Sequence, residues 1–213
     1  MRLISRAQYL SESVDGMRQQ DYDATHLVKA VKGFDLNPKA YTWVNIGGRQ
    51  RRITDANKDD AIQWFAEWAA PHIDALGSSA KVLVPIPGSE VTDTSPVSFR
   101  TAQIAQAISN QCTSATVVAP ILRWRTRMVP SRSGGPRDKR VLYDQLMMNG
   151  NLPDGDVILI DDVITGGGHL VAAAWRVEDQ GRRVLLAVCC GRAMHQQTTD
   201  PFQISEENLD LAR

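Results

Sequence analysis

From Lys81 onward, short apolar runs alternate with stretches of helical periodicity. KVLVPIP (Lys81–Pro87) is β-branched and ended by prolines, as a buried strand running into a loop would be. Phe99–Asn110 sets Ile104, Ala105 and Ile108 at helical spacing, and ATVVAPIL (Ala115–Leu122) predicts the next strand. Residues 123–136, RWRTRMVPSRSGGP, are basic and broken by prolines and a Gly-Gly pair, hence a loop. Lys139–Met148 predicts a helix and Asn149–Gly155 a turn. DVILID (Asp156–Asp161) is the clearest buried strand, Leu170–Gln180 a helix stopped by Gly181, and RRVLLAVCC a last core strand. Such continuous apolar strands, alternating with helices, predict an α/β fold: a parallel core sheet with helices on both faces.

The first eighty residues have another pattern. Tyr22–Phe34 reads as a helix, and Tyr41–Thr54 as a hairpin turning at Gly47–Gly48. Asp59–Leu76 is an amphipathic helix with Ile62, Phe65, Trp68, Ala69 and Ile73 on one stripe. The expected organisation is an N-terminal α+β elaboration over residues 1–79 forming a hood, a core over 80–195, and a tail over 196–213 without pattern.

Composition changes this picture little. Hydrophobic residues make up 43% and charged residues 23% of the 213, with a formal net charge of zero. Nothing global points to a nucleic acid or an anionic membrane as partner. The N-terminal stretch has no apolar region of the secretory kind, and no stretch approaches the length of a membrane span. Cys112 stands alone, and Cys189–Cys190 lie in a strand where neighbours face opposite ways. All three read as buried thiols of a cytoplasmic protein.

The chemistry concentrates in DVILIDDVITGGGHL, Asp156–Leu170. A buried parallel strand delivers the residues after it to the carboxyl edge of the sheet, where such folds bind ligands. Glycines at 166, 167 and 168 let the backbone approach a ligand, and the helix opening there favours an anion such as phosphate. Thr165 adds a hydroxyl. Asp161 and Asp162 would repel that anion if aimed at it, so they suit a diol or a hard cation carried by the ligand. A phosphorylated ribose combines these features. The plainer reading is a tight strand-to-helix turn with solvated aspartates, which requires neither three glycines nor two acids.

On these residues the chain resembles the type I phosphoribosyltransferases, whose signature is an apolar strand followed by two acids and a T-T-G-G-T loop. Gly166 here replaces a threonine, and His169 replaces the closing one. The resemblance implies a type I phosphoribosyltransferase fold and a ligand, 5-phosphoribosyl-1-pyrophosphate (PRPP), bound with Mg²⁺. Asp161 and Asp162 would hold the ribose hydroxyls and meet the metal indirectly, through substrate or water. Thr165, Gly166, Gly167, Gly168 and His169 would wrap the 5′-phosphate.

LVPIPGSEV (Leu83–Val91), followed by SFRTAQIAQAIS, is similar to the competence-protein-F-like branch of that family. It implies a pyrophosphate site at Gly88, Ser89 and Arg100, with Glu90 an awkward neighbour. Between residues 123 and 140 stand seven Arg or Lys against one acid, Asp138. This loop takes the place of the family's mobile hood, with Arg123, Arg125 and Arg132 around Ser131–Ser133 expected at the pyrophosphate. A solvated charge run is its simpler alternative. His26, His72 and His195 draw no role, and Arg49, Arg51 and Arg52 read as a solvated turn.

The function implied is transfer of phosphoribosyl from PRPP to a small-molecule nitrogen nucleophile. A non-catalytic PRPP- or nucleotide-sensing module, or a competence-associated protein, is the alternative. A nucleic-acid-interaction protein using the basic loop is a weaker third reading, and a homodimer is compatible with all three.

Overall fold

The computed structural model describes residues 1–12, 14–130 and 133–213. In chain order the elements are β1 (Arg2–Leu10), α1 (Gln19–Lys32), β2 (Thr42–Ile46), β3 (Arg49–Ile53), a 3-10 turn (Asp55–Asn57) and α2 (Asp60–Asp74). Next come β4 (Lys81–Pro85), α3 (Arg100–Gln111), β5 (Thr116–Val118), β6 (Leu122–Trp124), α4 (Lys139–Gln145) and β7 (Leu146–Met148). The last are β8 (Asp156–Ile164), α5 (Gly168–Asp179), β9 (Val184–Met194) and β10 (Ser205–Asn208). Six strands form the central sheet in the order β10-β1-β9-β8-β4-β5, parallel except for β10, which runs antiparallel to β1.

Alternation along the strands builds two cores. Leu83, Ile158, Ile160, Leu186 and Val188 pack on one face with α1 (Leu27, Val28), α2 (Phe65, Ile73) and α3 (Ile104, Ile108). Val82, Val84, Val157, Leu159 and Ala187 pack on the other with Leu142 of α4 and Leu170, Ala173 and Val177 of α5. The α/β class and the helices on both faces are those the sequence predicts. Cys189 and Cys190 also fall on opposite faces, both free and buried.

The segments expected as hood and tail both supply strands to this sheet. β1 pairs with β9 in register Leu3↔Ala187, and β10 pairs with β1 in register Leu3↔Glu207. The residue 115–122 run is not one strand. The Ala119 N–H makes the last bond to β4, at the Leu83 carbonyl, the Ile121 N–H turns back to the Ala119 carbonyl, and β6 pairs with β7 outside the central sheet. The same pairing ends α4 at Gln145, short of the expected Met148.

At the edge opposite the site, Lys81 is fully buried on β4. Its Nζ donates to the carbonyls of Gly77 and Ser79 at 3.0 and 2.7 Å and lies 3.1 Å from Asp156 on β8. An ammonium so enclosed needs all of these partners, and they join the starts of β4 and β8.

Phe65 is completely buried between α2 and the sheet, whereas Trp68, on the same stripe, is only partly buried. Phe65→Ala is therefore expected to lower stability by about 3–5 kcal/mol in chemical denaturation, and Trp68→Ala by less.

Candidate functional site

β4 and β8 are neighbours in the sheet, yet the chain leaves them in opposite directions. β4 is followed by α3 on one face and leads to β5. β8 is followed by α5 on the other face and leads to β9. Two adjacent parallel strands whose connections diverge leave a crevice at their carboxyl ends, the usual ligand position in open α/β sheets.

β8 also outruns β4. The register between them ends at Pro85↔Ile160, with one more bond from the Ile86 N–H to the Ile160 carbonyl at 2.9 Å. Pairing with β9 continues to Ile164↔Arg192, so the strand extends beyond the expected Asp161. Asp161 and Asp162 thus lie past the last β4–β8 pair.

Alternation sends the two carboxylates to opposite faces. Asp161 is buried on the side of Leu159 and Cys189, and its Oδ1 accepts the N–H of Asp162 at 2.8 Å. Burial, reinforced by the negative charge of Asp162, pushes the Asp161 carboxyl well above the usual carboxylate range. Asp162 is more accessible and faces α1, with Lys32 Nζ 3.7 Å from its Oδ1. Tyr9 lies in the same electrostatic neighbourhood, its hydroxyl pushed up by burial against the opposing pull of Lys32. Neither Lys32 nor Tyr9 carries a signal in the sequence: each lies on an N-terminal element, over a hundred residues from the acids.

Thr165 and Gly166 are exposed, and Gly167 and Gly168 open α5. The first N–H groups of a helix have no partner within it, which makes them donors for an anion. The fold requires two of the three glycines. Gly167 has φ +78°, and a Cβ on it would lie 3.1 Å from Leu209 Cδ2. A Cβ on Gly168 would lie 2.5 Å from the Arg137 carbonyl oxygen, while one on Gly166 would meet nothing within 4 Å. His169 is held below its usual pKa by burial, against the pull of Asp162, and so favours a neutral imidazole. Its ring stands edge-on to Trp124 at 5.6 Å, and Trp124 Nε1 donates to the Pro87 carbonyl at 3.2 Å. The buried Trp124 therefore ties the loop after β4 to the loop after β8.

The residues expected at a pyrophosphate are not gathered in the same way. The Glu90 carboxylate lies over Gly88, 2.8 Å from where a Cβ would stand, and accepts from Ser89 Oγ at 3.3 Å. Arg100 donates to the Val31 and Ala30 carbonyls at 2.6 and 2.7 Å and to Asp59 at 2.6 Å, clamping the end of α1 to the start of α2. Arg123 is buried against the Phe99 ring and donates to its neighbour's carbonyl, and Arg125 donates to the Asp144 carbonyl. Ser131 and Arg132 lie outside the described residues.

No group of three or more His, Cys, Asp or Glu that could hold a metal occurs among the described residues. One accessible carboxylate with a second beside it suits an Mg²⁺ ion that arrives on a phosphate ligand and keeps most of its waters, not one caged by protein alone. A surface hollow of about 470 Å³ lies away from these groups, along α3 and β5, lined by residues including Val97, Ala102, Gln106 and Val118. No helix among the described residues is long and apolar enough to cross a membrane.

No known family matches the chain by sequence, and no curated protein does. Among solved structures it is similar to adenine phosphoribosyltransferase from Trypanosoma brucei, solved with AMP, pyrophosphate and ribose-5-phosphate. The TM-score is 0.42 and the identity 13%, over 92% of this chain and 89% of that one. It is also similar to the APRTase of Giardia lamblia, solved with 9-deazaadenine, with a TM-score of 0.36 and 15% identity over 73% of this chain and 94% of that one. Likenesses this loose assign no ligand to the chain.

Two outcomes test this geometry. A folded-state carboxyl with a raised pKa keeps its proton where the unfolded chain has lost it. Stability therefore falls as pH rises from the ordinary carboxylate value toward the raised one. Asp161→Asn should remove that loss, so its melting temperature should exceed the parent's by an amount that grows with pH and vanishes below about pH 4. The glycines should separate as well. Gly167→Val is expected to cost about 1–3 kcal/mol through its left-handed backbone, and Gly166→Val to stay within about 0.5 kcal/mol of the parent.

Proposed function

We propose that the chain binds PRPP with Mg²⁺ in the crevice between β4 and β8 and transfers its phosphoribosyl group to a nitrogen nucleophile, releasing pyrophosphate. The reading rests on one juxtaposition: an acid pair immediately before a glycine loop that opens a helix, at the point where the chain leaves two neighbouring strands in opposite directions.

In this reading the N–H groups of Gly166, Gly167, Gly168 and His169, with the Thr165 hydroxyl, take the 5′-phosphate. Asp162 accepts from the ribose hydroxyls, and its charge favours the cationic character that develops on the sugar as the bond to pyrophosphate breaks. Asp161 supports it from below the strand, and the neutral His169 imidazole adds a hydrogen bond without a fixed charge. Lys32, already beside Asp162, supplies a cation for the polyphosphate. Mg²⁺, met by Asp162 through water, would offset charge on the leaving pyrophosphate. The basic segment between β6 and α4 would cover the ligand and exclude water.

The Glu90 carboxylate over Gly88 favours a second reading, in which the loop holds a ribose phosphate without turnover, as a sensing module would. Pyrophosphate release from PRPP, followed across purine, pyrimidine and amine acceptors, separates the two. Turnover that Asp162→Asn lowers by about a hundredfold, as expected for loss of a group acting in the transition state, supports transfer. PRPP binding without release supports sensing. Failure of millimolar PRPP with Mg²⁺ to raise the melting temperature would remove both.

A further inference from the structure

The glycine loop is held from behind by residues far from it in sequence. On β9, Arg192 donates from Nη1 to the Thr165 carbonyl. The rest of its guanidinium forms a fork with Glu207 on β10, Nε to Oε1 and Nη2 to Oε2, each at 3.0 Å. Glu207 Oε1 also accepts from Ser205 Oγ at 3.2 Å. The pair is sheltered, with side-chain exposures of 24% and 29%, so it is screened less than an open surface pair. Two residues on, Leu209 packs beside Gly167, and its backbone exchanges two hydrogen bonds with Met1, at 2.8 and 2.9 Å.

The peptide joining Thr165 to Gly166 is planar and trans, so its C=O and N–H point in opposite directions. A guanidinium that holds the Thr165 carbonyl therefore turns the Gly166 N–H the other way. Gly166 is the glycine on which a Cβ would meet nothing within 4 Å.

We propose that Arg192 and Glu207 are positioning residues, which orient the Gly166 N–H toward an anion and make the loop's phosphate affinity depend on the β10 segment. The proposal rests on the reading of Thr165–His169 as a phosphate loop. The fork carries the effect: a lysine at 192 keeps the charge but has no planar pair of N–H donors to match both carboxylate oxygens while a third holds the carbonyl.

The sign of one substitution separates positioning from simple electrostatics. Glu207→Gln removes a negative charge near an anion site, which by charge alone should tighten anion binding. Loss of the fork should instead weaken it, by about tenfold for a charge-assisted hydrogen bond. The experiment titrates ribose-5-phosphate calorimetrically into the full chain, Glu207→Gln, Arg192→Lys and Arg192→Ala, and measures amide exchange of Gly166–His169 without ligand.

Expected are weaker binding in all three variants, faster exchange in the loop, and a Glu207→Gln melting temperature close to the parent's. Equal or tighter binding by Glu207→Gln, full affinity in Arg192→Lys, or unchanged loop exchange would each overturn the proposal. If Arg192→Ala does not fold, Glu207→Gln and Arg192→Lys decide it. A parent chain that binds no ribose-5-phosphate would overturn the phosphate reading and this role with it. Unaltered variant affinities beside a binding parent would overturn the positioning role alone.

Discussion

The structure turns on the placement of β8 between two parallel partners. Val157, Leu159, Ile158 and Ile160 are buried on both faces of that strand, which therefore has no solvated side. Its backbone groups are satisfied by β4 and β9 only while both partners last. β4 stops first, after the Ile86 N–H has met the Ile160 carbonyl, and the chain beyond Ile160 is paired on one side only. Asp161 and Asp162 come at once there. The site is thus where the sheet's hydrogen bonding runs out on one side, and the glycine loop is the chain's way into α5.

The groups around that point come from both ends of the sequence. α1 brings Lys32 to Asp162, and its carboxyl end is fixed by Arg100, whose donors reach two of its last carbonyls and Asp59. β1 and β10 extend the sheet and put Glu207 within reach of Arg192. Below the site, Lys81 and Asp156 bind the starts of the same two strands whose ends form the crevice. Each buried or sheltered cation of this set has a named acceptor, as the cost of leaving such a group unpaired requires.

The central elements are legible in the sequence because their signals are local. DVILI is too apolar for anything but a doubly covered strand, and the three glycines after it mark the turn into α5. The stripe of α2 and the hairpin turn at Gly47–Gly48 are readable for the same reason. β1 is not: RLISRAQYL carries two arginines, a serine and a glutamine, and only pairing with β9 makes it a strand. β10, SEEN, has no apolar pattern at all and exists through its register with β1. The arginines are hardest to place, since a guanidinium's partner is set by tertiary structure. Arg100 and Arg123 read as phosphate ligands in a line of text, yet the fold sets one on helix carbonyls and the other on the Phe99 ring. Arg192 has no local signal, although its guanidinium touches the loop.

The two acids carry the same side chain in opposite environments. Asp162 faces a lysine and keeps access to the crevice, so its charge is compensated and available to a ligand. Asp161 faces the apolar side and is raised by burial and by its neighbour, so ionising it works against the fold. A chain selected for stability alone would place an apolar residue there, in line with Leu159. An acid persists at such a position when the surroundings hold it for another purpose. The bond from the Asp162 N–H to Asp161 Oδ1 supplies a local one: it fixes the peptide between the acids and so the direction in which the Asp162 side chain leaves the strand. The buried carboxyl aims the accessible one, at a cost in stability that grows as it ionises.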